Sequence, residues 1–107
     1  MMNLNLNYEG FEDYLLLRRE FDGPFELIEG VQYRFRFENN YGASVVKRTC
    51  TYGYRQDLWE LAVLYFEDDD DNYGHLTYNT PITDDVIGFL TDENVRELLG
   101  EIKGLPK

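Results

Sequence analysis

The clearest pattern in the chain lies at residues 31 to 38. There Val31, Tyr33, Phe35 and Phe37 alternate with Gln32, Arg34, Arg36 and Glu38. A period of two sends alternate side chains to opposite faces of a strand, one toward a core and one toward water. Asn39-Asn40-Tyr41-Gly42 follows with residues that tolerate left-handed backbone, which predicts a chain reversal. Residues 43 to 52 are rich in β-branched side chains (Val45, Val46, Thr49, Thr51) and should return as the antiparallel partner. After a connection at 53 to 57, Trp59, Leu61, Val63 and Tyr65 alternate with Glu60, Ala62 and Leu64 in a third strand. This strand is the most apolar of the set and is expected at the centre of the sheet. A short strand at Leu76-Thr77-Tyr78 should close it.

The first thirty residues carry a weaker pattern. Leu15-Leu16-Leu17, inside residues 13 to 21, fits neither the helical nor the strand period, so this segment reads as helix or strand. The turn signal Asp22-Gly23-Pro24 favours a strand before it and a second strand at 25 to 28, together a hairpin.

From Thr83 onward the spacing becomes helical. Thr83 is placed to cap a short helix presenting Val86, Ile87 and Leu90, with Asp84 and Asp85 in its first turn. Thr91 caps a second helix, with Asp92 and Glu93 meeting the positive end of its dipole. Val95, Leu98, Leu99 and Ile102 form one apolar stripe along it, and Gly104 and Pro106 end it. The predicted fold is α+β, a single domain over residues 1–107. An antiparallel meander of four to six strands is covered on one face by two short C-terminal helices.

Composition narrows the function classes. Hydrophobic residues at 43% and aromatics at 16% exclude disorder across the whole chain. A net charge of −11 argues against direct nucleic-acid binding and against anionic membrane surfaces. The lone Cys50 excludes an internal disulfide and a cysteine-based zinc site. No apolar run reaches the roughly 18 residues of a membrane span. The Met1 to Asn7 start resembles no signal peptide, so a soluble protein of a reducing compartment is expected.

Candidate chemistry is sparse. Asp68, Asp70 and Asn72 have the spacing that opens a calcium-binding loop, but Tyr73 stands where glycine is required and Asn79 where a bidentate glutamate belongs. His75 is the only histidine and has no nucleophile placed beside it by sequence, and Cys50 has no evident activating partner. No hydrolase elbow, phosphate-cradling loop or zinc-protease motif occurs. The expectation is therefore no enzyme, no catalytic residue, no metal and no cofactor.

Charge is more informative than any motif. Residues 31 to 58 hold Arg34, Arg36, Lys47, Arg48 and Arg55 against Glu38 and Asp57, whereas residues 67 to 101 hold eleven carboxylates against Arg96. Arg34 and Arg36 share the polar face of one strand, with Lys47 or Arg48 expected opposite, and cross-strand pairing with Glu38 and Glu60 is expected of them. Adjacent negative charges repel and hydrate, so residues 67 to 72 should be a loop tip. The candidate partner-binding residues are Glu67, Asp68, Asp69, Asp70, Asp71, Asp84 and Asp85. The alternative is that surplus acid only keeps a small aromatic-rich domain in solution.

Three stretches carry a resemblance. Phe37 to Val46, Leu58 to Leu64 and, most specifically, Thr77-Tyr78-Asn79-Thr80-Pro81-Ile82-Thr83-Asp84-Asp85-Val86-Ile87-Gly88-Phe89-Leu90-Thr91 resemble small accessory proteins of tailed bacteriophages. The resemblance covers about residues 30 to 104, without the long Asp run, and brings no catalytic residues with it. It implies a phage or prophage origin and a location in the host cytoplasm. By analogy, such a protein would bind a host or phage protein, and an acidic surface would suit blocking one that normally grips nucleic acid. The other expectation is a virion or assembly component that self-associates. The predicted state is a monomer or weak homo-oligomer.

Overall fold

The computed structural model describes residues 3–23, 28–49, 51, 53–83 and 85–107. Among these residues six strands form one antiparallel sheet: β1 (Leu15–Gly23), β2 (Ile28–Arg36), β3 (Tyr41–Arg48), β4 (Trp59–Tyr65), β5 (His75–Leu76) and β6 (Ile87–Leu90). Among the described residues the chain has one α-helix, α1 (Asp92–Lys103). The α+β class and the antiparallel meander agree with the sequence reading.

Alternation sets the core as expected. Tyr33 lies opposite Val45 and Phe35 opposite Ala43; Val45 in turn lies opposite Leu61 and Ala43 opposite Val63. These side chains are almost fully buried on one face of three adjacent strands. The reversal between β2 and β3 puts Asn40 at φ 69°, the left-handed geometry its residue type tolerates. Neighbouring Asn39 turns its amide toward α1 and donates to the carbonyls of Ile102, Lys103 and Leu105 at 2.9, 3.1 and 2.9 Å. A hairpin turn thereby satisfies carbonyls at the helix end that have no partner within the helix.

β3 stops at Arg48 rather than at residue 52. The Thr51 hydroxyl accepts from Arg48 N and donates to Arg48 O, and so occupies the backbone groups that a continuing ladder would need. Lys47 lies on the core face instead of beside Arg34 and Arg36. Its ammonium is 3.0 Å from Asp57, donates to Asn3 O and sits 4.2 Å from the Trp59 ring centroid. Burial pushes the Asp57 carboxyl up, but the Asn3 N–H and Lys47 outweigh it and hold it below its ordinary value. Arg48 is the cation that joins the arginine face.

Of the two predicted C-terminal helices only the second forms. Thr91 caps α1 with a full capping box to Asn94, and Val95, Leu99 and Ile102 are buried. Residues 87 to 90 are strand β6, pairing Leu90 with Trp59 and Ile87 with Leu61. A seven-residue helix is marginal in water, whereas the open edge of β4 offers backbone partners. Phe89 at φ 58° is also incompatible with a helix. Thr83 does accept a backbone N–H, from Asp85 at 3.0 Å, in a turn and not a helix cap.

The second layer that a helix was expected to supply is instead the N-terminal segment. Leu6 is buried in the core, with Leu4, Tyr8, Phe11 and Tyr14 packed against it. The Tyr33 hydroxyl donates to Leu4 O and accepts from Leu6 N, fixing the segment on the sheet. The leucine run resolves as a β-bulge: Leu15 pairs with Phe35 and Leu17 with Arg34, leaving Leu16 as the extra, exposed residue. The expected strand at 25 to 28 lies outside the described residues up to Ile28, where β2 begins. β4 is interior but not central, because β5 and β6 share the position beyond it and β3 takes the middle.

Candidate functional site: a pinned acidic loop beside an arginine face

Phe66, the residue after β4, is fully buried, and the chain then crosses the sheet face opposite the helix. Arg36 fixes the crossing: Nη1 donates to Asp71 O at 2.8 Å and Nη2 to Asp68 O at 2.9 Å, with the guanidinium 4.7 Å from the Phe66 ring centroid. Arg34 donates to Tyr73 O. The expected pairing of these arginines across the strands gives way to this arrangement, and Glu38 accepts from the Tyr14 hydroxyl instead. The physical reason is that loop carbonyls present fixed acceptors directly over the strand, and a guanidinium fork satisfies two at once.

The acidic run divides into two roles. Asp71 is structural. Its Oδ1 accepts from Tyr73 N and Gly74 N at 3.1 and 2.9 Å, and its Oδ2 accepts from Glu67 N and lies 3.5 Å from His75 Nε2. The Gly74 N–H above all, with those of Tyr73 and Glu67 and the neighbouring His75, holds the Asp71 carboxyl below the ordinary range, against the opposing effect of burial. Glu67, Asp68, Asp69 and Asp70 are exposed, with Asp68 Oδ1 accepting from Asp70 N. Asp69 is the one that approaches Arg36, at 3.9 Å. Five of the seven candidate residues are thus together in one loop. Asp85 stands exposed in the separate β5–β6 connection, and Asp84 lies outside the described residues.

A pH dependence follows from Asp71. Its folded value is lowered, so its contribution is complete above the unfolded aspartate value of about 3.9. It declines as pH falls through the lowered folded value and is absent below it. Amide shifts of Tyr73 and Gly74, followed by NMR, are expected to titrate together below the ordinary aspartate midpoint. Asp71→Asn should abolish that titration. Midpoints at the ordinary value would contradict the hydrogen-bond assignment.

Two further charged features add to the sequence reading, which placed Arg34 with Lys47 or Arg48 on one face but not Arg19 beside them. On the sheet face opposite α1 the Arg19 Nε–H donates to Gln32 Oε1 at 2.9 Å, and the buried Gln32 amide donates to Ser44 Oγ at 2.8 Å, a polar ladder across β1, β2 and β3. Phe21 lies between Arg19 and Arg48, at 4.9 and 5.3 Å from its ring centroid. Arg34 is held below its ordinary value by burial and by the like charge of Arg19. Among the described residues, none of Arg19, Arg34 and Arg48 is in an ion pair.

On the other layer, Glu93, Glu97 and Glu101 are all exposed on α1, away from the buried stripe of Val95, Leu99 and Ile102. Like charges at i, i+4 weaken an isolated helix by about 0.2–0.5 kcal/mol per pair. That stripe was readable from the heptad spacing, whereas the arginine cluster required the strand register.

A shallow groove of about 410 Å³ runs beside Thr49, Thr51, Tyr54, Arg55 and Phe89. Its described lining holds neither a histidine nor a carboxylate to act as a base. Among the described residues, no helix is long and apolar enough to cross a membrane, and no three His, Cys, Asp or Glu side chains group as a metal site. The class the coordinates define is an α+β domain with one antiparallel sheet, α1 and the N-terminal segment lying on one face and the acidic loop crossing the other. No family model, curated protein or solved structure matches the chain.

Proposed function

We propose that this chain is a small acidic accessory protein of phage type that acts by binding another protein. The reading gives its carboxylates the part of nucleic-acid phosphates, so that it blocks a host nucleic-acid-handling or defence protein in the host cytoplasm. The observation that carries it is the pinned loop. Arg36 and Asp71 hold its backbone, while Glu67, Asp68, Asp69 and Asp70 face solvent. Charges presented on an already ordered loop bind with less ordering entropy than charges on a free tail, and they steer association with a basic groove.

The test is capture from nuclease-treated host lysate, with and without added duplex DNA, using the full chain and an Asp68→Asn, Asp69→Asn, Asp70→Asn variant. Asp71 is left intact because its role is structural. One nucleic-acid-handling protein, displaced by DNA and bound at least about tenfold more weakly by the variant, is the expected result; tenfold corresponds to about 1.4 kcal/mol. Surface changes of this kind should alter stability by no more than about 0.5 kcal/mol. Equal capture by the variant would remove the loop from the reading. The arginine face favours a second reading, a self-associating assembly component.

A further inference from the structure

Two layers of this molecule carry opposite charge and are complementary to one another. The face of the sheet that α1 does not cover gathers Arg19, Arg34 and Arg48, with no ion pair among the described residues. This occurs in a chain with twice as many acidic as basic side chains, 21 against 10. Like-charged guanidiniums brought close together, as Arg19 and Arg34 are, repel until an anion lies over them. The opposite layer displays Glu93, Glu97 and Glu101, also without an ion pair among the described residues. Glutamates one turn apart on a helix repeat about every 6 Å. On the sheet Arg19 lies opposite Gln32, two residues along β2 from Arg34, and Arg48 lies opposite Gly30, so the arginines stand staggered across β1, β2 and β3.

We propose that the arginine-bearing part of the sheet face opposite α1, beside the acidic loop, is a docking surface for a second copy of this chain, which seats its α1 glutamate row over Arg19, Arg34 and Arg48. Donor and acceptor surfaces lie on different layers, so the contact is head-to-tail and leaves one surface of each kind free at the ends. It is also weak. Exposed ion pairs contribute little individually, and the net charge of −11 on each copy opposes approach, so dissociation constants on the order of 0.1–1 mM are expected. The inference is independent of the acidic loop, whose partner is a different protein.

The experiment is sedimentation equilibrium of the full chain at about 0.15 M salt, where screening confines electrostatics to near contacts, up to about 1 mM protein. It includes two variants, each checked for native circular dichroism. The face variant carries Arg19→Glu and Arg48→Glu; the stripe variant carries Glu93→Lys, Glu97→Lys and Glu101→Lys. The parent is expected to associate progressively, and each variant alone at least about tenfold more weakly.

The stripe variant is decisive, because it lowers the net negative charge. General repulsion alone would make it associate more strongly than the parent, whereas the docking contact requires the reverse. Mixed in equal amounts, the two variants should form a heterodimer that grows no further, since the face variant supplies only the glutamate row and the stripe variant only the arginine face. Should the face variant not fold, Arg19→Gln with Arg48→Gln replaces it.

A parent that stays monomeric at about 1 mM overturns the proposal, as does association unchanged in either variant. A monomeric chain whose arginine face instead binds single-stranded oligonucleotide, lost in the face variant, also overturns it.

Discussion

Trp59→Ala is expected to cost about 3–5 kcal/mol in urea unfolding, a large share of the roughly 5–15 kcal/mol that holds a domain folded. The ring is only 1% exposed and joins three parts of the molecule. Its indole N–H donates to Asp92 Oδ1 at 2.6 Å, tying β4 to the first turn of α1. Tyr33 meets it edge-on at 5.7 Å between centroids, and the Lys47 ammonium lies over its face. Truncation therefore leaves a cavity, a carboxylate without its donor and a buried cation without its ring. Trp59→Phe keeps most of the volume and should lose about 1–2 kcal/mol, the share of the hydrogen bond and residual void. Circular dichroism is the appropriate probe, because the chain's one tryptophan is removed. A loss below about 1 kcal/mol for the alanine variant would mean that β4 and α1 are not joined there.

Gly30→Ala should be comparably severe for a different reason. Gly30 sits in β2 at φ 146°, and an added Cβ would lie 2.0 Å from Lys47 O and 2.4 Å from Arg48 Cα. Both atoms are backbone of the adjacent strand, so relief requires β2 and β3 to separate where Gly30 faces Arg48. Backbone strain and overpacking each cost about 1–3 kcal/mol, and here they add. The control is Gly10→Ala, at φ 95° with nothing within 4 Å of the added carbon, which should lose only the strain, about 1 kcal/mol. Equal melting curves for the two variants would contradict the close approach of β2 and β3.

Both residues show how sequence and tertiary structure divide the account. Trp59 was legible as a core-facing strand residue from its alternation with Glu60, but its tie to Asp92 was not. In sequence Asp92 reads as a first-turn acid on a helix. Gly30 gave no local signal at all, because its constraint comes from Lys47 and Arg48 on another strand.

The candidate site divides in the same way. The exposed acidic loop at 67 to 70 was visible in the charge run alone. That Asp71 turns inward to organise the loop, and that Arg36 grips its carbonyls, depended on bringing β2 beneath the β4–β5 connection. Asp85 was expected on a helix and stands in a turn, since the edge of β4 took the following residues as β6.

The sequence by itself determined the faces. Alternation at 31 to 37 and at Trp59, Leu61 and Val63 set which side chains of β2 and β4 face the core shared with α1, and the spacing of Val95, Leu99 and Ile102 did the same for α1. That Ala62 and Leu64 are buried as well, and Tyr65 exposed, was not in the alternation. These patterns are local, because the periods of strand and helix are properties of the backbone. Only the tertiary structure decided what covers those faces and what pairs with each charge. The N-terminal segment replaced an expected helix, Lys47 entered the core beside Asp57, and the arginines turned to loop carbonyls or stayed unpaired. Such choices depend on contacts between residues far apart in the chain, where burial, open strand edges and fixed backbone acceptors compete, and no local period records the outcome.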